Sequence, residues 1–267
     1  MKALFSKLLS KKALFCVLVA LFSVVLLVSA GFLTDYIIDS VKQKQQFDKL
    51  AGIVQEEAGA DGVNYAYVIH PETGHTVKIL AEYATLFTMN PDLVGWIKVD
   101  NTVINYPVMQ TPGWQNYYLQ RDFYEQYSKH GTIYVRETAD IKEPSDNLTI
   151  YGHRMNDGTM FSDLLKYKDQ DFFQQNPTIT FNTIYEHHDY QIISVFIVDT
   201  TDIDYFPYYT YVDGDAKQFN NYVAQCKALS LYDTGVTAAD GDKLITLSTC
   251  DDDIQTGRVV VVAKQIK

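Results

Sequence analysis

The pattern of apolar and polar positions sets the first part of the chain apart from the rest. Residues 13–33, ALFCVLVALFSVVLLVSAGFL, contain no charged side chain. At ~1.5 Å per residue, a helix of this length spans roughly 30 Å, the thickness of the hydrocarbon core of a bilayer. The run therefore predicts a transmembrane anchor over residues 13–33, preceded by a short tail over residues 1–12.

The charges that flank this run predict its orientation. Four lysines and no acidic residue lie in residues 1–12, and Asp35 follows the run. By the positive-inside rule the tail lies in the cytoplasm and the rest of the chain outside. A cleaved signal peptide is the alternative, because VSA before Gly31 resembles a cleavage site. The run exceeds the usual apolar region of ~7–15 residues, which favours an uncleaved anchor.

Residues 34–90 are predicted to form a helical appendage. Residues 35–57 carry apolar side chains at helical spacing, and a second helix is predicted over residues 77–90, where Pro91 ends it. Residues 58–67 and 70–75 have the composition of loops. The apolar stripe of the first helix consists of Ile37, Val41, Phe47, Leu50 and Ile53.

After Pro91 the pattern changes to short alternating runs rich in β-branched and aromatic residues. Eight such runs with turn signals between them predict a closed β-barrel or sandwich over residues 91–267, so the chain is mainly β with added helices, an α+β fold. A helix over residues 215–229 is inserted between the sixth and seventh strands. The runs are LVGWIKV, TVINYPVM, GTIYV, NLTIYG, TITFN, YQIISVFIV, KLITLSTC and RVVVVAKQI.

Charge and cysteine content narrow the classes of partner. The net charge is −11, and because the four N-terminal lysines contribute +4, the remainder carries −15. Nucleic acids and anionic lipids are therefore excluded as partners of this remainder, whereas an amine-bearing partner is compatible with it. Cys16 lies in the apolar run, and Cys226 and Cys250 could form a single disulfide in an oxidising exterior.

Two strand ends carry candidate chemistry. In KLITLSTC, Cys250 shares the polar face with Thr246 and Ser248, and in NLTIYGH, His153 shares the polar face with Tyr151. Taken alone, a cysteine is usually a small buried hydrophobe and a histidine after glycine a turn residue.

Three aspartates directly follow Cys250 and call for a balancing cation, because negative charge raises the pKa of a thiol. A β-hairpin would place Arg258 opposite Cys250, with Cβ atoms about 5 Å apart. Arg258 is expected to offset the aspartates and to donate to an oxyanion, whereas the rival Arg154 would point to the other face. No metal site is predicted on the aspartates, because the carbonyl and glycine positions of a calcium loop are missing.

These motifs, in their order and spacing, resemble those of class B sortases, the membrane-anchored cysteine transpeptidases of Gram-positive bacteria. The resemblance covers residues 80–267. It is carried by TLSTC with an arginine on the next strand and by YGH about a hundred residues earlier. It also rests on NPDLVGWIKVDNTVINYPVMQ, YYLQRDF, YSKHGTIYV, YGHRMNDGTMFSDL and the long insertion over residues 199–242.

The resemblance implies roles for individual residues. The nucleophile falls on Cys250, the general acid/base on His153 and the essential arginine on Arg258. It further implies a cysteine and a histidine that are largely neutral at rest, with only a minority present as the thiolate–imidazolium pair. The substrate-groove positions fall on Leu119, Tyr151, Ser248 and Thr249, and Asp252 is a possible accessory residue that would orient His153. An aromatic run is expected either to wall the groove or simply to pack the insertion helix; it consists of Tyr205, Phe206, Tyr208, Tyr209 and Tyr211.

The sequence departs from the family at one point. A loop one residue longer carries Gln115 and Asn116 where the family often has a single asparagine. The role of an amide at this position is therefore left open.

The implied activity is cleavage of a C-terminal sorting signal on an exported protein after threonine, through a thioester, and transfer of the protein to a peptidoglycan amine. The implied partners are exported proteins with such a signal, a peptidoglycan precursor amine or a pilin lysine, and the membrane; no cofactor is implied. The alternatives are a pilus-polymerising sortase, a cell-wall cysteine peptidase and a non-catalytic surface binding module. The peptidase is less favoured, since in papain-like enzymes the cysteine opens a helix and precedes its histidine.

Overall fold

The computed structural model describes residues 11–58, 63–254 and 256–267, so most of the predicted tail lies outside the described residues. Helix α1 runs without a break from Lys11 to Glu57. The chain forms two compact units, residues 1–45 and 46–267. In the first unit the apolar side chains between Leu14 and Leu33 are exposed, and α1 is the one helix in the described part of the chain that is long and apolar enough to cross a membrane.

The second unit begins with the last turns of α1, where Phe47 and Leu50 are buried in the same core as the barrel. A two-stranded antiparallel hairpin follows, made of β1 (Tyr65–Ile69) and β2 (Thr76–Leu80). A 3₁₀ helix (Ala81–Tyr83) and α2 (Ala84–Met89) lead to the barrel.

The helix predicted from residue 77 is therefore wrong over its first residues. Val77 and Ile79 alternate with the exposed Thr76 and Lys78, which is the period of a strand. The loop predicted over residues 58–67 likewise runs into β1, and its residues 59–62 lie outside the described residues. The loop predicted over 70–75 is the turn of this hairpin.

The predicted eight-stranded barrel is confirmed. Its strands close in the order β10-β8-β7-β3-β4-β5-β6-β9. The pairs β4/β5 and β6/β9 are parallel and the others antiparallel. The strands are β3 (Leu93–Lys98), β4 (Asn105–Met109), β5 (Ile133–Val135), β6 (Asn147–Tyr151), β7 (Thr178–Thr183), β8 (Asp189–Asp199), β9 (Leu244–Cys250) and β10 (Gly257–Gln265).

Alternation along β6 and β9 separates an apolar inner face from a polar outer face. Ile150, Ile245 and Leu247 are buried in the main core. Between β6 and β7 the chain adds two short helical segments, the 3₁₀ helix Ser162–Lys168 and α3 (Gln170–Gln175). A 3₁₀ helix at Tyr117–Gln120 lies between β4 and β5.

The insertion between β8 and β9 covers the outer face of this part of the barrel. Its helix α4 (Ala216–Leu229) begins with a capping box between Asp215 and Gln218, which satisfies free backbone donors of its first turn. Its buried face packs in a second core cluster with residues of β8 and β10. The helix predicted over residues 215–229 is confirmed.

The Cys226–Cys250 disulfide that the sequence leaves possible is not formed. Cys226 lies on the buried face of α4 and Cys250 at the end of β9, and both are free thiols. Burial raises the pKa of Cys226 to about 12, so this thiol stays protonated and acts as a small core side chain.

Candidate active site

Cys250 is the last residue of β9 and is partly exposed. The two preceding side chains on its face are covered by tyrosines of the insertion. The Tyr222 hydroxyl lies 2.7 Å from Thr246 Oγ1, and the Tyr208 hydroxyl lies 2.7 Å from Ser248 Oγ. The outer face of β9 therefore passes from a sealed hydrogen-bonded layer to an accessible thiol within one strand.

Arg258 is the cross-strand partner of Cys250 on β10, so the predicted hairpin pairing is confirmed. Its Nη1 donates a hydrogen bond of 2.8 Å to the carbonyl oxygen of Gly257. That bond holds the guanidinium against the backbone of its own hairpin. Directly paired residues of antiparallel strands present their side chains on one face, so the guanidinium lies on the side of the sheet that carries the thiol.

His153 follows β6 and leaves the barrel at the same edge as Cys250. β6 pairs with β9 in parallel, with Tyr151 opposite Ser248, and the Gly152 amide donates to the Ser248 carbonyl at 3.2 Å. Two residues beyond this pair in each strand are His153 and Cys250. Because parallel strands end at one edge of a sheet, the two side chains emerge together.

The ring of His153 is oriented by a backbone carbonyl. Its Nε2 lies 2.8 Å from the carbonyl oxygen of Leu119. A carbonyl only accepts, so Nε2 carries the proton and Nδ1 is left to exchange a proton with the thiol or substrate. Burial lowers the pKa of His153 below its ordinary value, and this outweighs the opposing effect of the Leu119 hydrogen bond. A largely neutral histidine at rest is consistent with this balance.

The backbone around Gly131 packs closely against the Leu119 carbonyl. Gly131 has a φ of +61°, and a Cβ atom built there would lie 2.4 Å from that carbonyl oxygen. The left-handed backbone and the short distance both favour glycine. Leu119, predicted as a groove residue, thus contributes its backbone to His153, and its side chain is exposed.

The other predicted groove residues differ in accessibility. Tyr151 is half-buried, with its ring 5.3 Å from that of Tyr134. Ser248 is buried beneath Tyr208. Thr249 is 2% exposed and points to the other face of β9, so the structure does not bring its side chain to Cys250.

A comparison of the sequence with known domain families gives a match to the sortase domain over residues 97–266, well over half of the chain. The chain belongs to the sortase family.

Its relatives are of class B. Sortase B of Listeria monocytogenes is 34% identical to this sortase over 193 residues, which cover 69% of this chain and 74% of the relative. The structure of a Staphylococcus aureus sortase B–substrate complex superposes with a TM-score of 0.71 at 28% identity, covering 86% of this chain and 99% of that one. A sortase B complexed with triglycine gives a TM-score of 0.72 at 28% identity, covering 85% and 99%. This sortase is accordingly a cysteine transpeptidase of class B.

The cation that contacts the three aspartates after Cys250 is Lys168, the last residue of the 3₁₀ helix Ser162–Lys168. Its Nζ lies 2.8 Å from Asp251, 2.7 Å from Asp252 and 2.8 Å from Asp253. Burial alone would lower the pKa of Lys168, but hydrogen bonds to the carboxylates outweigh it and hold that pKa above its ordinary value. The expectation that Arg258 offsets the aspartates is therefore wrong.

The same contact corrects the expectation for Asp252. Its carboxylate pairs with Lys168, whose hydrogen bond lowers the pKa of Asp252, while the Leu119 carbonyl orients His153. The three carboxylates lie close enough together to ligate a cation. The ammonium of Lys168 takes the position between them that such a cation would need.

The predicted aromatic wall is in large part packing. Phe206 and Tyr211 lie against Tyr222 of α4, with centroids 5.7 and 4.9 Å apart. The guanidinium carbon of Arg136 lies 5.1 Å from the ring centroid of Tyr209. The Tyr209 hydroxyl lies 2.7 Å from the Tyr205 hydroxyl. In the longer loop, Asn116 Oδ1 accepts a hydrogen bond of 2.8 Å from Tyr134.

Proposed function

We propose that this sortase cleaves a C-terminal sorting signal on an exported protein after its threonine and joins the protein to a cell-wall amine. The observation that carries the proposal is the pairing of Cys250 with Arg258 on a hairpin whose first strand runs parallel to β6, which ends just before His153. A nucleophile, an acid/base and a cationic donor at one barrel edge are the groups that acyl transfer needs.

In the first half-reaction the proton of the Cys250 thiol passes to Nδ1 of His153, and Sγ attacks the threonine carbonyl carbon. The negative charge that develops on the carbonyl oxygen is stabilised by the guanidinium of Arg258. The imidazolium then donates its proton to the leaving nitrogen as the C–N bond breaks. The products are a thioester on Cys250 and the released C-terminal peptide.

In the second half-reaction an amine attacks the thioester carbonyl and His153 accepts the amine proton. The C–S bond then breaks, which leaves an amide bond, and His153 returns the proton to the thiolate of Cys250. The Staphylococcus aureus sortase B–substrate complex supports a sorting signal as the acyl donor. The sortase B complexed with triglycine supports the amine of a short glycine peptide as an acceptor, with a pilin lysine as the alternative.

The sorting signal would bind along the edge formed by the ends of β6 and β9. Tyr151 offers a half-buried ring and hydroxyl there, and the Tyr208–Ser248 pair forms the floor beside the thiol. Leu119 would meet the substrate through its exposed side chain. Thr249 would act only through its backbone, because its side chain is buried on the other face.

The first unit of the chain would anchor the enzyme where its substrates emerge. The exposed apolar stretch of α1 is long enough to span a bilayer. With the lysine-rich tail in the cytoplasm, the catalytic domain would lie on the outer side of the membrane. Exported proteins and wall precursors both pass through that space.

The test is a product analysis with a tagged sorting-signal library, incubated with triglycine, with a lysine amide or with no added amine. We expect mass spectrometry to show the tagged peptide cut after threonine and joined to the added amine, and to show no product after a thiol reagent blocks Cys250. Hydrolysed product alone in all three mixtures would indicate a cysteine peptidase. Peptide binding without turnover that survives the blocked thiol would indicate a binding module.

A further inference from the structure

The chain segment from Gly152 to Lys168 contacts the catalytic hairpin at both of its ends. At its start, Gly152 bonds to Ser248 of β9, and the His153 carbonyl accepts from the Phe161 amide at 2.9 Å. At its end, Lys168 reaches the loop between β9 and β10. The ladder between β6 and β9 stops at Tyr151, just short of the residues that react.

Lys168 is presented from a firmly held backbone. The preceding residue, Tyr167, is buried, its hydroxyl donates to the Asn176 carbonyl at 2.9 Å, and its own carbonyl accepts from Tyr232 at 2.7 Å. Because the neighbouring backbone is held in this way, the position of the Lys168 ammonium is set by the fold and does not depend on the aspartate loop. It reaches residues more than 80 positions along the chain.

The carboxylates that Lys168 holds differ sharply in their surroundings. The Asp251 side chain is fully buried and the Asp253 side chain is 81% exposed. Asp251 Oδ1 accepts from Lys168 and from the Asp253 amide, while Oδ2 has no hydrogen-bond partner among the described residues. A buried carboxylate that loses its cation is an uncompensated charge, so the Asp251 contact is the one that the loop depends on.

We propose that Lys168 is a positioning residue of the active site. By holding Asp251, Asp252 and Asp253 it ties the segment that begins with His153 to the hairpin that carries Cys250 and Arg258. The same contact keeps the three carboxylates paired, so that they do not draw on the Arg258 guanidinium beside the Cys250 thiol. This inference rests on the proposed roles of Cys250, His153 and Arg258.

The chain offers a matched control in Lys166, two residues earlier on the same 3₁₀ helix. Lys166 is 46% exposed and pairs with Asp163 of its own helix at 3.0 Å. Lys168→Met and Lys166→Met thus remove the same charge from the same element, and the first alone releases the aspartates. Lys168→Arg keeps a cation at the position and serves as the conservative variant.

The experiment compares these variants on the full chain by two readouts below their melting temperatures. The first is kcat and KM for a sorting peptide and an amine. The second is the rate at which iodoacetamide alkylates Cys250 between pH 6 and 9, followed on the Cys250 peptide because Cys16 is also exposed. Alkylation does not require the enzyme to be a transpeptidase, so it separates a failure of this inference from a failure of the proposed function.

We expect Lys168→Met to lower kcat by about tenfold or more with little change in KM, and to slow Cys250 alkylation at pH 7 by about threefold to tenfold, because nearby uncompensated carboxylates disfavour the thiolate. Lys168→Arg should recover much of both, and Lys166→Met should match the wild type. Adding Asp251→Asn, Asp252→Asn and Asp253→Asn to Lys168→Met removes the charges that the lost cation leaves unpaired, and should restore most of the alkylation rate.

Two results would overturn the proposal. One is a Lys168→Met enzyme whose kcat and alkylation rate stay within twofold of the wild type. The other is a loss of activity that follows the unfolded fraction alone, with unchanged alkylation of the folded enzyme and no recovery when Asp251→Asn, Asp252→Asn and Asp253→Asn are combined with Lys168→Met. That result would make Lys168 purely structural.

Discussion

At the scale of single residues, the proposed mechanism depends on the protonation of His153. Burial lowers the pKa of His153 below the ordinary 6.5. As pH falls through 6.5 the unfolded chain binds this proton before the folded chain does, so the residue costs stability below that pH and nothing above it. At neutral pH the imidazolium form of His153 is therefore a minority.

We therefore expect His153 to titrate below pH 6.5 when it is followed by NMR in a Cys250→Ala variant, which removes coupling to the thiol. The acidic limb of the kcat/KM profile of the wild-type enzyme should likewise lie below pH 6.5. A His153→Gln variant assigns the signal. A titration clearly above pH 6.5 would show that the site favours the imidazolium, against this account of the resting enzyme.

A second residue-scale prediction concerns the guanidinium. Lys168 takes the role of balancing the aspartates, which leaves Arg258 for the oxyanion or the substrate. Arg258→Lys keeps the charge but loses the planar pair of donors. We expect kcat/KM to fall by roughly a hundredfold, about 3 kcal/mol, the cost of one oxyanion donor. Arg154→Lys is the control, and a near-normal Arg258→Lys enzyme would show that charge alone is needed.

The sequence predicts the position of a side chain where the two-residue period of a strand determines its face. It does not predict contacts between residues that lie far apart in the chain. Alternation placed Cys250 on the outer face, and hairpin pairing placed Arg258 opposite it. Lys168 gives no local signal, because it lies 83 positions before Asp251 in the chain. The Leu119 carbonyl is a backbone atom, and a sequence pattern of side chains says nothing of its direction.

At the scale of elements, the 3₁₀ helix Tyr117–Gln120 and the strand β5 meet where Gly131 approaches the Leu119 carbonyl. Gly131→Ala should displace that carbonyl and with it the ring of His153. Gly113 is a matched control, because it has a φ of +84° and open space around it. Both substitutions carry the left-handed cost of about 1–2 kcal/mol, but only one makes the clash.

We expect Gly131→Ala to lower kcat by about tenfold or more, a loss of about 1.4 kcal/mol in transition-state stabilisation, while Gly113→Ala keeps normal kcat. Gly113→Ala should lower the melting temperature by about 2–8 °C and Gly131→Ala by more, because only Gly131→Ala adds the clash, so kcat is compared below both melting temperatures. Equal kcat values for the two would contradict a positioning role for the Leu119 carbonyl.

Element types were predicted well inside the barrel and less well before it. All eight barrel strands and α4 are predicted, because turn signals separate the alternating strand runs and the helical stretch between the last strands. The first residues of the stretch 77–90 read as helix, yet β2 occupies residues 76–80. A strand of five residues shows its period over too few positions to outweigh the helical spacing of the residues that follow.

At the scale of the whole molecule, the long apolar helix near the N-terminus leads to a prediction of where the enzyme acts. The lysine-flanked run predicts that the catalytic domain lies outside. We expect protease added to intact protoplasts to digest that domain, while a cytoplasmic marker protein stays whole. Complete protection of the domain would show that it lies in the cytoplasm, the opposite orientation. Release of the domain into the medium would favour a cleaved signal peptide.

The central claim is that Cys250 carries the threonine carbonyl as a thioester, and intact-mass measurement of the enzyme tests it most directly. Wild-type enzyme incubated with a sorting peptide and no amine should gain the mass of the fragment ending in threonine, and the addition of triglycine should remove it. Cys250→Ala, with an unchanged circular dichroism spectrum, should show no adduct. An adduct that persists in Cys250→Ala, or a folded wild-type enzyme that turns the peptide over without one, would contradict the account.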